Sequence, residues 1–139
     1  MSALPQSENP KEKPGDFMTT PVKSVDVNET IQNAARQMDA KNISALITTE
    51  NGKHIGIVTE RDFTRKVVAK GLSLTEPVSK IMSTSLYTMN ANKHIFEAVE
   101  FMTDNNTLHI TVPENDKVAG ILTIKNTFAY YMNLFGLEM

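Results

Sequence analysis

Thr59 and Asp62 are the two residues of this chain whose types and spacing most favour ligand chemistry. They lie in the run Gly56-Ile57-Val58-Thr59-Glu60-Arg61-Asp62, where a β-prone stretch passes into a helical one. An ionised aspartate can accept hydrogen bonds from both hydroxyls of a vicinal diol. The exposed N–H groups of a helix start attract a phosphate, and a glycine within the strand lets a planar ligand lie close to the backbone. The pattern therefore favours a ribose phosphate site.

Positive charge is concentrated beside this pair. The chain has three arginines, and two of them, Arg61 and Arg65, lie within six residues after Thr59, with Lys66 and Lys70 beyond them. The net charge of the whole chain is −2, so this cluster is a local exception that suits a phosphate.

A purely structural interpretation of the same residues is equally open. In Thr59-x-x-Asp62 the threonine can cap a helix while the acidic side chain reaches back to the N–H of the cap, which is the capping-box pattern. A run of Arg and Lys on a helix is also typical of a solvated face.

The elements that must position these residues occur twice. Residues 18–63 align without a gap to residues 82–127, and thirteen of the forty-six pairs are identical. A match of this kind indicates one supersecondary unit used twice, with a pseudo-twofold axis and matched clefts between the copies. Roughly 100 to 200 residues form one compact domain, so the two copies are expected to share a core.

Each copy predicts the order strand, helix, strand, strand, helix. An extended stretch at residues 21–27 or 85–91 ends at a candidate helix cap, Asn28 or Asn92. Apolar residues then recur at helical spacing, and each helix runs into an asparagine suited to a left-handed C-cap. The apolar positions are Ile31, Ala34, Ala35 and Met38 in one copy, and Ile95, Ala98, Val99 and Met102 in the other; the C-caps are Asn42 and Asn106.

Turn residues predict the second half of each copy. Asn51-Gly52 between two β-prone runs predicts a type I′ hairpin, and Asn115-Asp116 is a weaker version. A helix over residues 60–70 follows, with Phe63 and Val67 on its inner face.

The last helix, residues 124–135, carries an apolar stripe that has two interpretations. The stripe of Phe128, Tyr131, Met132 and Phe135 either packs on its own sheet or forms a dimer face. Tyr130 and Leu134 lie off the stripe and add apolar surface, so we predict a homodimer.

Composition limits the class of protein. The pI near 5.9 argues against nucleic acid as a partner. The absence of cysteine excludes thiolate catalysis and cysteine-ligated metals, and the three histidines have no metal-ligand spacing. With no apolar run long enough for a bilayer, we expect a soluble cytoplasmic protein that makes no membrane contact. Residues 1–15 are rich in proline and charge and predict a flexible tail.

The landmarks of the repeat resemble a known family. They are Asp16-Phe17-Met18-Thr19 and Lys80-Ile81-Met82-Ser83 at the head of each copy, Ile43-Ser44-Ala45-Leu46, and above all GIVTERD at residues 56–62. The chain looks like a tandem pair of cystathionine-β-synthase (CBS) domains, also called a Bateman module, with one repeat over residues 16–79 and the other over residues 80–139.

The resemblance implies an α+β fold, in which two pseudo-twofold-related βαββα units pack sheet to sheet and such pairs commonly form disc-shaped dimers. It also implies a ligand class, namely adenosine compounds such as AMP, ADP, ATP or S-adenosylmethionine, with Thr59 and Asp62 on the ribose. By resemblance, each cleft combines the Thr/Asp strand end of one copy with the head and middle strand of the other. The first site would comprise Ile57, Thr59, Arg61, Asp62, Arg65, Met82, Thr84, Leu108 and His109, with Arg65 and His109 as candidates for phosphate.

The second site departs from the family pattern. It would comprise Met18, Thr20, Ile43, Ser44, Ile121, Thr123 and Asn126. An amide offers one acceptor oxygen where a carboxylate offers two charged ones, so Asn126 predicts a weaker site than Asp62 does.

Three functions are compatible with these residues. The leading hypothesis is a stand-alone regulatory sensor that needs no cofactor or metal, binds an adenosine nucleotide as its regulatory ligand and signals to an unidentified protein partner. The alternative is a ligand-independent dimeric interaction scaffold. An enzyme such as a nucleotide hydrolase is disfavoured, because the cleft offers neither a nucleophile with its base nor a carboxylate cluster for magnesium.

Overall fold

The computed structural model of the chain describes residues 17–136. The predicted tail over residues 1–15 lies outside the described residues. Two compact units are present: the first unit is Val22–Leu86, and the second unit combines residues 17–21 with residues 87–136. Within the described part of the chain, no helix has the length and apolarity that crossing a membrane requires.

The first unit has the predicted order of elements. Strand β1 (Ser24–Asp26), helix α1 (Ile31–Lys41) and strands β2 (Ala45–Glu50) and β3 (Lys53–Thr59) precede helix α2, which begins as Glu60–Asp62 and continues as the π-helical Phe63–Val68; a 3₁₀ turn, Val78–Lys80, follows. The sheet has the order β1-β2-β3, with β1 parallel and β3 antiparallel to β2. The α+β class is therefore confirmed.

The core of the first unit contains most of the predicted apolar stripe of α1. Ile31, Ala34 and Met38 are buried and pack in one cluster with residues of the strands and of α2, namely Leu46, Val58 and Val67. Full burial of a large aliphatic side chain contributes roughly 1.5–3 kcal/mol relative to exposure, so this cluster holds α1 and α2 against the sheet. Phe63 is half-buried against the same cluster.

Helix α1 begins two residues later than predicted. Its N-cap is Thr30, whose hydroxyl accepts a hydrogen bond from the N–H of Asn33 at 3.1 Å. The N–H of Asn28 instead donates to Asp26 at 2.8 Å in a local turn, so the prediction of Asn28 as the cap is wrong. At the other end, Asn42 is left-handed with φ 52°, as predicted.

Both hairpin turns have the backbone that a type I′ turn needs. Asn51 and Gly52 have φ values of 52° and 77°, and Asn115 and Asp116 have φ values of 50° and 65°. Positive φ at both central residues matches the right-handed twist of the flanking strands. The predicted turns are therefore confirmed in both copies.

The second unit repeats this plan with a reduced first strand. Helix α3 (Ile95–Asp104), strands β4 (His109–Glu114) and β5 (Lys117–Thr123) and helix α4 (Ile124–Leu134) are present. The strand predicted over residues 85–91 is only a single parallel bridge between Thr88 and Thr111. Pro113 occupies the position of Thr49 in β2, and because proline has no N–H it cannot extend the ladder as Thr49 does.

Helix α3 is also capped later than predicted. The N-cap is His94, whose Nδ1 accepts a hydrogen bond from the N–H of Phe96 at 3.0 Å. The predicted cap, Asn92, donates its own N–H to Asn90 at 2.8 Å. His94 therefore serves as an acceptor at a helix end.

Helix α4 buries a different face from the one predicted. Thr127 and Tyr130 are its buried residues, whereas Phe128 is 55% exposed and Phe135 is 52% exposed. Tyr130 packs edge-on against Phe17, with ring centroids 5.0 Å apart. Packing on its own sheet is therefore wrong for Phe128 and Phe135, whereas Tyr131 and Met132 of the same stripe are half-buried.

Candidate functional site

The junction of β3 and α2 places Asp62 against Thr59. One carboxylate oxygen, Oδ2, accepts a hydrogen bond from the backbone N–H of Thr59 at 2.8 Å and from its hydroxyl at 3.3 Å. This is the capping-box contact that the spacing allowed. The structural interpretation of the pair is therefore right, and any role in ligand binding must use what remains of the carboxylate.

The second carboxylate oxygen of Asp62 forms an ion pair. Its Oδ1 lies 2.9 Å from Nζ of Lys66, with 13% of the Asp62 side chain and 45% of the Lys66 side chain exposed. The same ammonium donates to the carbonyl oxygen of Ile81 at 2.9 Å. Lys66 was absent from the predicted site, although its position four residues after Asp62 on a helix is a spacing typical of ion pairs.

The head segment, Ile81–Ser83, pairs with β3 through its backbone. Ser83 and Ile57 exchange two backbone hydrogen bonds, each of 2.9 Å. The sulfur of Met82 accepts a hydrogen bond at 3.1 Å from the hydroxyl of Thr48, whose side chain is fully buried. A short segment from the start of the second repeat thus pairs with β3, the edge strand of the first repeat's sheet.

Gly56 is required by this closure. A Cβ at Gly56 would lie 2.6 Å from the carbonyl oxygen of Ser83 and 2.7 Å from Oγ1 of Thr48. Contacts this short are not tolerated without a shift of the backbone. The expectation that this glycine makes room for a planar ligand is therefore corrected, because the head segment fills the space.

Seven of the nine residues predicted for the first site lie in the first unit. Thr59 and Asp62 are in direct contact, and Arg61 is half-buried, whereas Arg65 and Thr84 are exposed. The seven are Ile57, Thr59, Arg61, Asp62, Arg65, Met82 and Thr84. Leu108 and His109 belong to the second unit, and their place in the first site stays a prediction.

The second unit contains a neutral counterpart of the Thr/Asp pair. The amide oxygen of Asn126 accepts from the N–H of Thr123 at 2.8 Å and from its hydroxyl at 3.1 Å. Thr19 and Ile121 exchange two backbone hydrogen bonds of 2.8 and 3.2 Å, and Met18 lies against Gly120. The cap contact and the pairing of the head segment thus have equivalents in the second unit, whereas Val112 replaces Thr48 and cannot donate to Met18.

The residues predicted for the second site divide between the units. Met18, Thr20, Ile121, Thr123 and Asn126 belong to the second unit, and Ile43 and Ser44 belong to the first. Within the first unit, Ile43 packs against the core, and the carbonyl oxygen of Ser44 accepts from the N–H of Glu60 at 3.1 Å. Their participation in a ligand site stays a prediction.

A separate groove of about 420 Å³ lies between α1 and α2. Its wall is mostly apolar, with Met38, Phe63, Val67 and Leu74, and two acidic residues, Asp39 and Glu60, complete it. Neither Thr59 nor Asp62 lines this groove, so it is distinct from the ribose candidate. Among residues 17–136, no three His, Asp or Glu side chains are grouped as metal ligands.

Known proteins resemble this chain over both repeats. The CBS domain family matches residues 15–69 and 78–132. The CBS domain-containing protein YhcV of Bacillus subtilis (strain 168) is 33% identical over 109 residues, which are 78% of this chain and 78% of YhcV. The CBS domain-containing protein CBSCBSPB5 of Arabidopsis thaliana is 37% identical over 97 residues, which are 68% of this chain and 18% of that protein.

Solved structures share the fold. An uncharacterized conserved protein from Pyrococcus horikoshii superposes with a TM-score of 0.82 at 28% identity, covering 88% of this chain and 93% of that one. The CBS-domain containing protein ATU1752 from Agrobacterium tumefaciens has the same TM-score at 27% identity, covering 91% and 98%. The CBS domain pair of protein MJ0100, solved in complex with 5′-methylthioadenosine and S-adenosyl-L-methionine, has a TM-score of 0.76 at 24% identity, covering 89% and 95%.

Proposed function

Because this chain belongs to the CBS domain family, with one domain in each repeat, we propose that it is a regulatory protein that binds an adenosine nucleotide at Thr59 and Asp62. The compounds to consider are AMP, ADP, ATP and S-adenosylmethionine. The observation that carries the proposal is the half-buried carboxylate of Asp62, which Thr59, the N-cap of α2, holds at the start of that helix.

The carboxylate of Asp62 retains acceptor capacity for a ribose. A carboxylate has about four lone-pair positions, and three hydrogen bonds occupy Asp62: two from Thr59 and one from Lys66. One hydroxyl of a diol fits the remaining position. The other hydroxyl replaces Lys66, whose partly exposed side chain can move into solvent at little cost, since exposed ion pairs contribute under about 1 kcal/mol.

The phosphate end of the ligand is assigned to the cations of the same unit. Arg65 is exposed on α2 and Arg61 precedes it by one turn, so both guanidinium groups are carried by the helix that begins at the ribose pair. Guanidinium groups bind phosphate in bidentate fashion. His109 is a third phosphate candidate, and Thr84 and Leu108 complete the proposed lining.

The second site is proposed to be weaker. The single amide oxygen of Asn126 already accepts two hydrogen bonds from Thr123, and it carries no charge. Its other polar group, the NH2, can donate to a hydroxyl oxygen but cannot accept from the O–H groups of a diol, as a carboxylate can. Met18, Thr20, Ile43, Ser44 and Ile121 complete this proposed site.

We infer a signalling role without catalysis. A bound nucleotide would change the conformation that a partner protein recognises, and it can do so only through a difference in affinity between two arrangements. The protein partner, the energy-sensing role and the cytoplasmic location are parts of this proposal.

Isothermal titration of the purified protein with AMP, ADP, ATP and S-adenosylmethionine tests the proposal. We expect at least one compound to bind, and its 2′-deoxy analogue to bind about tenfold more weakly, because loss of a hydrogen bond to a charged group costs about 1.5 kcal/mol or more. Asp62→Asn should reduce the affinity to a similar extent. Absence of heat with all four compounds would remove the proposal.

The alternative, a dimeric scaffold that needs no ligand, is favoured by one observation. Val68 is 79% exposed on α2, and Phe128 and Phe135 are more than half exposed on α4, so helices of both repeats present apolar side chains. Large exposed apolar side chains on one helix favour association, and we propose that a second copy covers those of α4. Sedimentation velocity should show a dimer that Phe128→Glu converts to a monomer and that Asn133→Glu, at an exposed polar position of the same helix, leaves intact.

A further inference from the structure

Lys66 connects the candidate ribose carboxylate to the head segment. Its ammonium lies 2.9 Å from Oδ1 of Asp62 and donates at 2.9 Å to the carbonyl oxygen of Ile81. Ile81 is 99% buried and immediately precedes Met82 and Ser83, which close over β3. A single side chain therefore contacts both the carboxylate and the backbone of the segment that completes the sheet edge.

The helix around Lys66 is locally unusual. Residues Phe63–Val68 are π-helical, and the N–H of Ala69 donates to the carbonyl oxygen of Thr64, five residues earlier, at 3.0 Å. Such widened turns are rare and occur frequently at functional sites. The equivalent helix of the second unit, α4, is a regular α-helix over Ile124–Leu134.

The second unit replaces the whole connection with an apolar contact. Asp62 corresponds to Asn126 in the repeat alignment, and the same offset of 64 positions, extended just beyond the aligned range, relates Lys66 to Tyr130 and Ile81 to Phe17. Tyr130 packs against Phe17 with ring centroids 5.0 Å apart and an interplanar angle of 81°. Each helix thus contacts its head segment at the same two positions, and in the first unit the contacting side chain also pairs with Asp62.

Binding of a diol must disturb this contact. The bond from the Thr59 N–H to Asp62 belongs to the helix cap, and its loss would leave a backbone donor without its acceptor. The bond from Lys66 is the one whose donor is 45% exposed. A ligand that needs two acceptor positions on Asp62 competes with the Thr59 hydroxyl, at 3.3 Å, and with the ammonium, which is the donor that can move into solvent.

We propose that Lys66 is a positioning residue that links occupancy of Asp62 to the backbone of the head segment Ile81–Ser83, and that the second repeat lacks this link. For its ligand this inference rests on the proposed function. In the ligand-free protein Lys66 bridges Asp62 and Ile81; when a vicinal diol occupies Asp62, the bridge opens and the pairing of Ser83 with Ile57 loosens.

Amide hydrogen exchange of Ser83 and Ile57 in the ligand-free protein tests the bridge without any nucleotide. We expect Lys66→Met to accelerate exchange of these two amides about threefold, the size of effect expected from loss of one partly exposed ion pair. Lys66→Arg should restore the wild-type rate, since it keeps the cation. Lys70→Met, which removes a charge from an exposed position four residues on, is the matched control and should leave the rate unchanged.

A double-mutant cycle determines whether Lys66 acts through Asp62. Asp62→Asn preserves the capping geometry that Asn126 shows in the second unit, so it removes the charge and leaves the helix start in place. If Lys66 acts through Asp62, the double variant D62N/K66M will exchange no faster than Lys66→Met alone. Independent, multiplying effects on the exchange rate would overturn the inference, as would an unchanged rate in Lys66→Met.

Saturation with AMP then tests the response to a ligand. We expect AMP to accelerate Ser83 exchange in the wild-type protein and to leave it unchanged in Lys66→Met, whose bridge is already absent. An equal response in both proteins would overturn the inference even though AMP binds. Failure of AMP, ADP, ATP and S-adenosylmethionine to bind would remove the proposed function and the ligand response together, and the ligand-free cycle would still decide whether Lys66 joins Asp62 to Ile81.

Discussion

Asp62 is joined to Thr59 by two hydrogen bonds to one oxygen, from the backbone N–H at 2.8 Å and from the hydroxyl at 3.3 Å. The same carboxylate is the proposed ribose ligand. One side chain therefore has a structural contact and a proposed binding role, and substitutions must separate the two.

Comparing Asp62→Ala with Asp62→Asn should separate the capping role of Asp62 from its proposed role in ligand binding. Asp62→Ala removes the acceptor of the Thr59 N–H and is expected to lower the free energy of unfolding by about 1 kcal/mol, as loss of a helix cap does. Asp62→Asn keeps that acceptor, as Asn126 does in the second unit. It should alter the free energy of unfolding by only a few tenths of a kcal/mol. Urea unfolding measures both, and an equal loss in the two variants would contradict the capping role.

The second site offers the reverse experiment. Asn126→Asp restores the charged acceptor that the first site has, so its affinity for an adenosine nucleotide should rise about tenfold, the difference that one charge-assisted hydrogen bond makes. Titration calorimetry would resolve this as a second binding event. Asn133→Asp, which adds the same charge at an exposed position of α4, is the control, and a rise in that variant would point to a general charge effect.

Gly56 should not tolerate a side chain. In Gly56→Ala the new Cβ would meet the Ser83 carbonyl oxygen and the Thr48 hydroxyl at 2.6 and 2.7 Å, and overpacking of this kind typically costs about 1–3 kcal/mol. Thermal unfolding measures the loss.

A second glycine of β3's hairpin provides the control for this substitution. Gly52 has φ 77° with open space around it, and its equivalent Asp116 adopts φ 65°. Gly52→Asp should therefore cost less than about 1 kcal/mol. A larger loss in Gly52→Asp than in Gly56→Ala would refute the close approach of the head segment.

The N-cap residues of α1 and α3, the first helix of each unit, can be exchanged by substitution. His94 and Thr30 occupy equivalent positions, and threonine is a preferred N-cap where histidine is not. We expect His94→Thr to stabilise the protein by about 0.5–1 kcal/mol and Thr30→His to destabilise it by a similar amount, as measured by urea unfolding. Asn92→Ala, at the cap position predicted from the sequence, should have a smaller effect than His94→Ala.

Local patterns in the sequence predicted the features that depend on neighbouring residues. The Asn51-Gly52 turn and the stripe of Ile31, Ala34 and Met38 follow from backbone conformation and helical periodicity alone, and both are confirmed. The start of α1 was missed because distant residues determine it. The N–H of Ile31 donates to the carbonyl oxygen of Glu76 at 2.9 Å, and this pairing places the first turn after Thr30.

The site shows the same division between local and distant contacts. The spacing of Thr59 and Asp62 predicted their contact, because a helix start brings N-cap and N3 together. The hydrogen bond from Lys66 to the carbonyl oxygen of Ile81 joins residues fifteen positions apart. No periodic pattern in the sequence predicts such a contact. On α4 the helical period allowed two apolar faces, and the contact of Tyr130 with Phe17, far away in the chain, decided between them.

The chain order of the two units has a consequence for synthesis on the ribosome. The first unit is an uninterrupted stretch, Val22–Leu86, inserted between the two parts of the second, so it can acquire all its contacts while the remainder is still being translated. Thr19 must wait for Ile121, its bridging partner, to emerge from the exit tunnel. The first unit can thus fold before the second, whereas Thr19, although translated before it, can pair only after Ile121 has been synthesised.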